Sequence, residues 1–143
     1  VNLIADVQFR SHNYPSYFMR HRDTLGYITT LRSEQDKKDS LFRIREGLAA
    51  KGNFFWSLES ADHPGHFFRH QGFRLRLQKR DGSALFDEDA TFTVIPGLAA
   101  AGTSLESYNY RGHFLRHENF ELWLSPAQSG DIFRADATFH RVP

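Results

Sequence analysis

Three histidines, His21, His70 and His117, stand 49 and 47 residues apart, and each follows an arginine. Each also precedes an aspartate, Asp39, Asp89 and Asp136, by 18, 19 and 19 residues. An imidazole and a carboxylate repeated together admit two readings. Buried polar groups need partners, so the pair can be a hydrogen-bonded tie that stitches each copy together. The same pair can line a sugar pocket. Hydroxyls both donate and accept, which suits a carboxylate beside an imidazole, with an apolar or aromatic wall for the C–H face of the ring. The residues themselves leave both readings open.

Other chemistries fit less well. Ser11, Ser60 and Ser107 lie ten residues before each histidine and complete the residue types of a hydrolase triad. No Gly-x-Ser-x-Gly elbow accompanies them. A glycosidase needs two carboxyl groups roughly 5–10 Å apart. The copies share one aligned aspartate each, and Arg10 stands where Glu59 and Glu106 recur. The chain is therefore expected not to be an enzyme. His66 with His70, and His113 with His117, are spaced i, i+4, about 13 Å apart along a strand. That is too far for one ion, and Tyr17 replaces the first histidine in the first copy. Neither metal nor cofactor is expected.

The repeat extends beyond these groups and implies the elements that must hold them. Copies run approximately over 1–50, 51–100 and 101–143, within one domain spanning 1–143. Turn-forming residues come before each Arg-His strand: Asn13-Tyr14-Pro15, Asp62-His63-Pro64-Gly65 and Asn109-Tyr110-Arg111-Gly112. After it, Phe73-Arg74-Leu75-Arg76-Leu77 and Phe120-Glu121-Leu122-Trp123-Leu124 alternate with period two. That pattern predicts strands with Phe73, Leu75, Leu77, Phe120, Leu122 and Leu124 inward and Trp123 on the outer parity. Leu25-Gly26-Tyr27-Ile28 fits the pattern less well. Arg80-Asp81-Gly82 and Gln128-Ser129-Gly130 read as hairpin turns. Each copy closes on Asp-x-x-Phe, ending at Phe42, Phe92 and Phe139. About four short strands per copy, taken three times, predict an all-β chain with little helix. The threefold repeat points to a β-trefoil, a six-stranded barrel with a hairpin cap.

Bulk composition narrows the function classes. Eighteen basic residues against seventeen acidic ones leave a formal net charge of +1, which argues against nucleic acid and anionic membrane surfaces as partners. No apolar run approaches the roughly 20 residues of a membrane span. Without cysteine there is no disulfide framework and no thiolate chemistry. The chain starts at Val1 without a signal peptide and reads as a module cut from a longer protein.

Ser107-Tyr108-Asn109-Tyr110-Arg111-Gly112-His113-Phe114-Leu115-Arg116-His117, then Phe120 to Leu124, then Phe133 to Phe139, resembles a known family over essentially the whole chain. This is the family 42 carbohydrate-binding module, the arabinofuranose-binding domain of α-L-arabinofuranosidase B type. The resemblance implies a β-trefoil with up to three pockets for arabinofuranose side chains of arabinoxylan or arabinan. It implies sugar contacts by His70 with Asp89 and by His117 with Asp136. The Asn-Tyr turn segment would lie close by: Asn13 and Tyr14, Asn109 and Tyr110, with Asp62 and His63 in their place in the second copy. The first copy departs most, keeping His21 and Asp39 but with Asp36 where the others have Phe86 and Phe133. By the same resemblance the chain is a secreted, extracellular, non-catalytic module, covalently linked to a glycoside hydrolase that it targets to arabinose-decorated hemicellulose. The alternative is a structural or protein-interaction module whose His–Asp pairs are fold ties.

Overall fold

The computed structural model describes residues 6–143; the reading drawn from Val1 lies outside them. Each copy supplies four strands. The first has β1 (Asp6–Ser11), β2 (Phe18–Arg22), β3 (Leu25–Thr29) and β4 (Phe42–Glu46). The second has β5 (Phe55–Ser60), β6 (His66–Gln71), β7 (Arg74–Lys79) and β8 (Phe92–Pro96). The third has β9 (Thr103–Ser107), β10 (His113–Glu118), β11 (Glu121–Pro126) and β12 (Phe139–Val142). A six-residue helix precedes each last strand: α1 (Glu34–Asp39), α2 (Ala84–Asp89) and α3 (Asp131–Asp136).

The all-β expectation holds, but the trefoil expectation is corrected. A trefoil sets six strands in a barrel under a separate cap of hairpins. Here all twelve strands belong to one antiparallel sheet. A circuit of ten closes on itself in the order β1-β12-β9-β8-β5-β6-β7-β11-β3-β2, with β4 bridging β1 to β5 and β10 bridging β9 to β11. The reason lies at the hairpins, which pair with one another through Leu25 with Arg76, Tyr27 with Glu121, and Arg74 with Trp123. The hairpins are thereby part of the barrel wall.

Equivalent positions of the three copies meet in the core. Met19, Phe68 and Leu115 are fully buried together, as are Phe42, Phe92 and Phe139. Gly26 is aligned with Leu75 and Leu122, on the three hairpin strands that pair around one point. A Cβ at Gly26 would lie 3.1 Å from Leu122 and 3.2 Å from both Leu75 and Phe68. Two leucines fill that point and leave no room for a third side chain, so the first copy loses its alternation there.

Two local expectations are corrected. Leu75, Leu77, Leu122 and Leu124 are buried as predicted, but Phe73 and Phe120 are about 43% and 44% exposed. They sit in two-residue hairpin loops, with Gln71 opposite Arg74 and Glu118 opposite Glu121. Gly72-Phe73 and Asn119-Phe120 both have positive φ, as does Asp23-Thr24. That is the conformation of primed turns, whose twist matches the strands. The turn interrupts the period-two pattern and swings each Phe outward. Asp81-Gly82, in contrast, is no hairpin. Asp81 accepts from Ser83 N at 2.8 Å, and Ser83 caps α2 by accepting from Phe86 N at 3.1 Å. Ser33 caps α1 in the same way.

Candidate functional site

Strand register assembles the sites. The last strand of each copy pairs with the first strand of the next, and β12 returns to β1. The pairs are Phe42 with Ser60, Phe92 with Ser107, and Phe139 with Ser11. Each aspartate lies three residues before its Phe, at the end of a helix. Each Asn or Asp of the turn segment lies two residues after its Ser. Antiparallel pairing therefore sets the aspartate of one copy against the turn of the next.

Three clusters result, and all twelve sequence-predicted residues fall within them. The first holds His21, Asp39, Asp62 and His63. The second holds His70, Asp89, Asn109 and Tyr110. The third holds His117, Asp136, Asn13 and Tyr14. The departures at Asp62 and His63 therefore belong to the first copy's cluster, not to that of His70. One cluster collects the divergence of two copies.

The second and third clusters are built alike. His70 Nε2 lies 2.8 Å from Asn109 Oδ1, and His117 Nε2 lies 2.8 Å from Asn13 Oδ1. Each Asn donates from Nδ2 to the aspartate, at 2.8 Å for both Asp89 and Asp136. Since the amide nitrogen faces the carboxylate, its oxygen accepts from the imidazole, which places a hydrogen on Nε2. The aspartates lie 3.5 Å from the same Nε2 atoms. Serine orients the Asn: Ser107 and Ser11 donate to Asn109 and Asn13 at 3.1 Å.

This geometry removes the triad reading. Ser11 approaches His117 of another copy, at 3.4 Å, not His21. Serine and aspartate also meet the same ring nitrogen, whereas a triad needs one on each.

The arginines were missed as site residues. Arg69 donates to Asp89 in a very short bond, Arg116 donates to Asp136 at 2.8 Å, and Arg20 donates to Asp39 at 2.5 Å. All three are buried. Two of the guanidinium groups also face rings, Arg69 over Phe86 and Arg116 over Phe133. The recurrence of Arg beside His was the signal that could have found them. Phe73 and Phe120 were placed in the core, yet they stand beside Tyr110 and Tyr14, with ring centroids 5.4 and 5.5 Å apart. Tyr110 and Tyr14 in turn lie 5.2 and 5.4 Å from the His70 and His117 rings. A half-exposed aromatic wall thus borders a buried carboxylate, twice.

The first cluster differs in charge. Arg20 reaches Asp36 at 3.1 Å, where the other arginines meet a Phe ring. Asp62 takes the place of Asn and cannot donate. Gln35 supplies the missing donor, reaching Asp39 at 2.8 Å and Asp62 at 3.2 Å. Burial alone would raise the Asp62 carboxyl, but hydrogen bonds from His63, His21 and Ser60 outweigh it and hold it below the ordinary value.

Burial lowers the His117 pKa; Asp136 opposes that effect and Arg116 adds to it. The remaining facing groups, Asn13, Ser11 and Tyr14, carry no charge near neutrality. With the folded value below the unfolded one of about 6.5, the His117 contribution is complete above pH 6.5. It is lost as pH falls toward the folded value, because the unfolded chain then binds the extra proton. His117→Gln is expected to flatten the fall of Tm between pH 7.5 and pH 5.5. Identical pH profiles for variant and wild type would contradict this.

The family described as Alpha-L-arabinofuranosidase B (ABFB) domain matches residues 7–141. A probable alpha-L-arabinofuranosidase B of Aspergillus fumigatus is 41% identical over 101 residues, covering 68% of this chain and 20% of the relative. The alpha-L-arabinofuranosidase B of Aspergillus kawachii is 31% identical over 104 residues, covering 71% and 20%. The chain thus spans about a fifth of the length of these curated relatives. The solved structure of an arabinofuranosidase complexed with arabinofuranosyl-alpha-1,2-xylobiose superposes with a TM-score of 0.90 at 29% identity. That match covers 99% of this chain and 31% of that one.

Proposed function

Because this chain belongs to the Alpha-L-arabinofuranosidase B domain family, we propose that it is a non-catalytic module whose second and third clusters bind arabinofuranose side chains. One observation carries the reading: the same set of buried Asp, Nε2-donating His, bridging Asn and half-exposed Tyr and Phe is built twice, at His70 and at His117. A buried carboxylate held by Arg and Asn retains lone pairs for sugar hydroxyls. Tyr110 with Phe73, and Tyr14 with Phe120, offer the apolar wall. Each of these clusters has one aspartate, whereas glycoside hydrolysis needs a pair of carboxyl groups.

A small furanose removes little apolar surface from water, so each pocket is weak. Two pockets on one branched polymer gain from effective concentration, which suits arabinoxylan or arabinan. In this reading the chain is secreted as part of a longer protein and holds a covalently linked glycoside hydrolase domain at hemicellulose.

The fold-tie alternative draws on the buried Arg–Asp pairs, which contribute to the fold whether or not sugar binds. A calorimetric titration with methyl α-L-arabinofuranoside separates the two. Two sites per chain are expected, one lost in Asn109→Ala and the other in Asn13→Ala. A chain that takes up no arabinofuranoside and is not retained on arabinoxylan is a structural module.

A further inference from the structure

The first cluster carries a different chemistry. We propose that it is a divalent transition-metal site, with His21 Nε2, Asp62 Oδ1 and His63 Nδ1 as protein ligands. One ligand atom from each of these residues lies within 4.8 Å of the other two, and this is the one such group among the described residues. Asp62 Oδ1 is 3.1 Å from His21 Nε2 and 2.9 Å from His63 Nδ1. Nitrogen and oxygen ligands about 2.0–2.2 Å from a tetrahedral zinc stand about 3.3 Å from one another. Both spacings to Asp62 Oδ1 are therefore within a few tenths of an ångström of those an ion would set.

Three further observations converge on the same atoms. The first is charge. In the second and third clusters one Asp faces one Arg. Here Asp36 and Asp39 share Arg20, while Asp39 and Asp62 both face the His21 ring. Arg22 lines the cavity beside the cluster and stands over the Tyr27 ring at 4.5 Å, so three carboxylates still face two guanidinium groups. The excess negative charge is what a bound cation would neutralise. The second is the supporting shell. Ser60 donates to Asp62 Oδ1 at 3.0 Å, and Gln35 donates to Asp62 Oδ2 at 3.2 Å and to Asp39 Oδ1 at 2.8 Å. Such outer hydrogen bonds orient ligands. The third is access. A cavity of about 380 Å³ lined by His21, Thr24, Asp39, His63 and His66 opens onto the cluster. It leaves a fourth coordination position to water or to a hydroxyl.

Two imidazoles and one carboxylate favour zinc, copper, nickel or ferrous iron over calcium and magnesium, which prefer all-oxygen shells. The ligand set crosses two copies, so the i, i+4 histidine spacing along a strand says nothing about it. The site does not depend on the sugar reading of the other two clusters.

Zinc titrated into the chain by calorimetry is the test. One zinc per chain is expected, with no response to calcium or magnesium. His63→Ala should weaken it at least about tenfold, as should Asp62→Asn. The His63 side chain is about half exposed, so this variant should keep the wild-type melting curve. His12 and His140, 2.9 Å apart elsewhere on the surface, are the competing zinc locus. His140→Ala should leave the zinc affinity unchanged. No zinc uptake, uptake indifferent to His63→Ala, or uptake lost in His140→Ala each overturns the proposal. Arabinofuranoside binding at the other clusters should survive His63→Ala, which keeps the two tests distinguishable.

Discussion

The double variant Tyr14→Ala, Tyr110→Ala is expected to lose retention on arabinoxylan while melting at the wild-type temperature. Both rings are nearly half exposed and touch the imidazoles from outside the core. Removing one takes away the apolar face available to a furanose. At about 25 cal/mol per Å², some 60 Å² of lost contact weakens a pocket about tenfold. Because a polymer engages both pockets together, the losses multiply toward about a hundredfold in avidity. Affinity electrophoresis in arabinoxylan, alongside each single variant, reads this directly. One single that loses tenfold beside another that loses nothing, with a double no worse than the first, would show that one pocket carries the binding. Normal migration of the double would sink the wall assignment.

Asp136→Ala should have a large effect on the fold. The side chain is about 11% exposed, and its partner Arg116 about 7%. Alanine leaves a buried guanidinium without its carboxylate and strips Asn13 of its acceptor. Breaking one side of such a pair costs about 3–5 kcal/mol, or about 10 °C in Tm for a chain of this size. Asp136→Asn keeps an oxygen for Arg116 and should cost less. Denaturant unfolding of wild type and both variants gives the difference. A cost under about 1 kcal/mol for alanine would mean that water reaches the pair. The same buried pairing is why aspartate variants report on stability first and on ligand second, whereas the exposed tyrosines report on ligand alone.

Much of this protein is legible in its residues, for identifiable reasons. Period-two patterns at Leu75–Leu77 and Leu122–Leu124 place strands, because a half-buried strand must alternate. The triple Arg-His and its following Asp single out the polar positions, because three equivalent copies face three equivalent environments. The reading fails where one residue changes the local backbone. Gly72 and Asn119 permit the primed turns that swing Phe73 and Phe120 out of the core, and Ser83 converts a presumed hairpin into a helix cap. These are short-range signals, and each was outweighed by a stronger-looking pattern beside it.

What the sequence determined by itself is the set: three histidines, three aspartates and three turn segments in an all-β chain of three repeats. What only the tertiary structure decided is which members meet. Pairing of β4 with β5, β8 with β9 and β12 with β1 hands each aspartate the turn of the following copy. That brings Asp136 to Asn13, 123 residues earlier in the chain, and gathers the two unusual turn residues, Asp62 and His63, around His21. Closure of the sheet is likewise a property of pairing, since hairpins with the same internal pattern can cap a barrel or join its wall. Hydrogen bonds between distant strands leave no periodicity along the chain, so composition and spacing name the ligand-bearing groups while register alone assigns them to a common site.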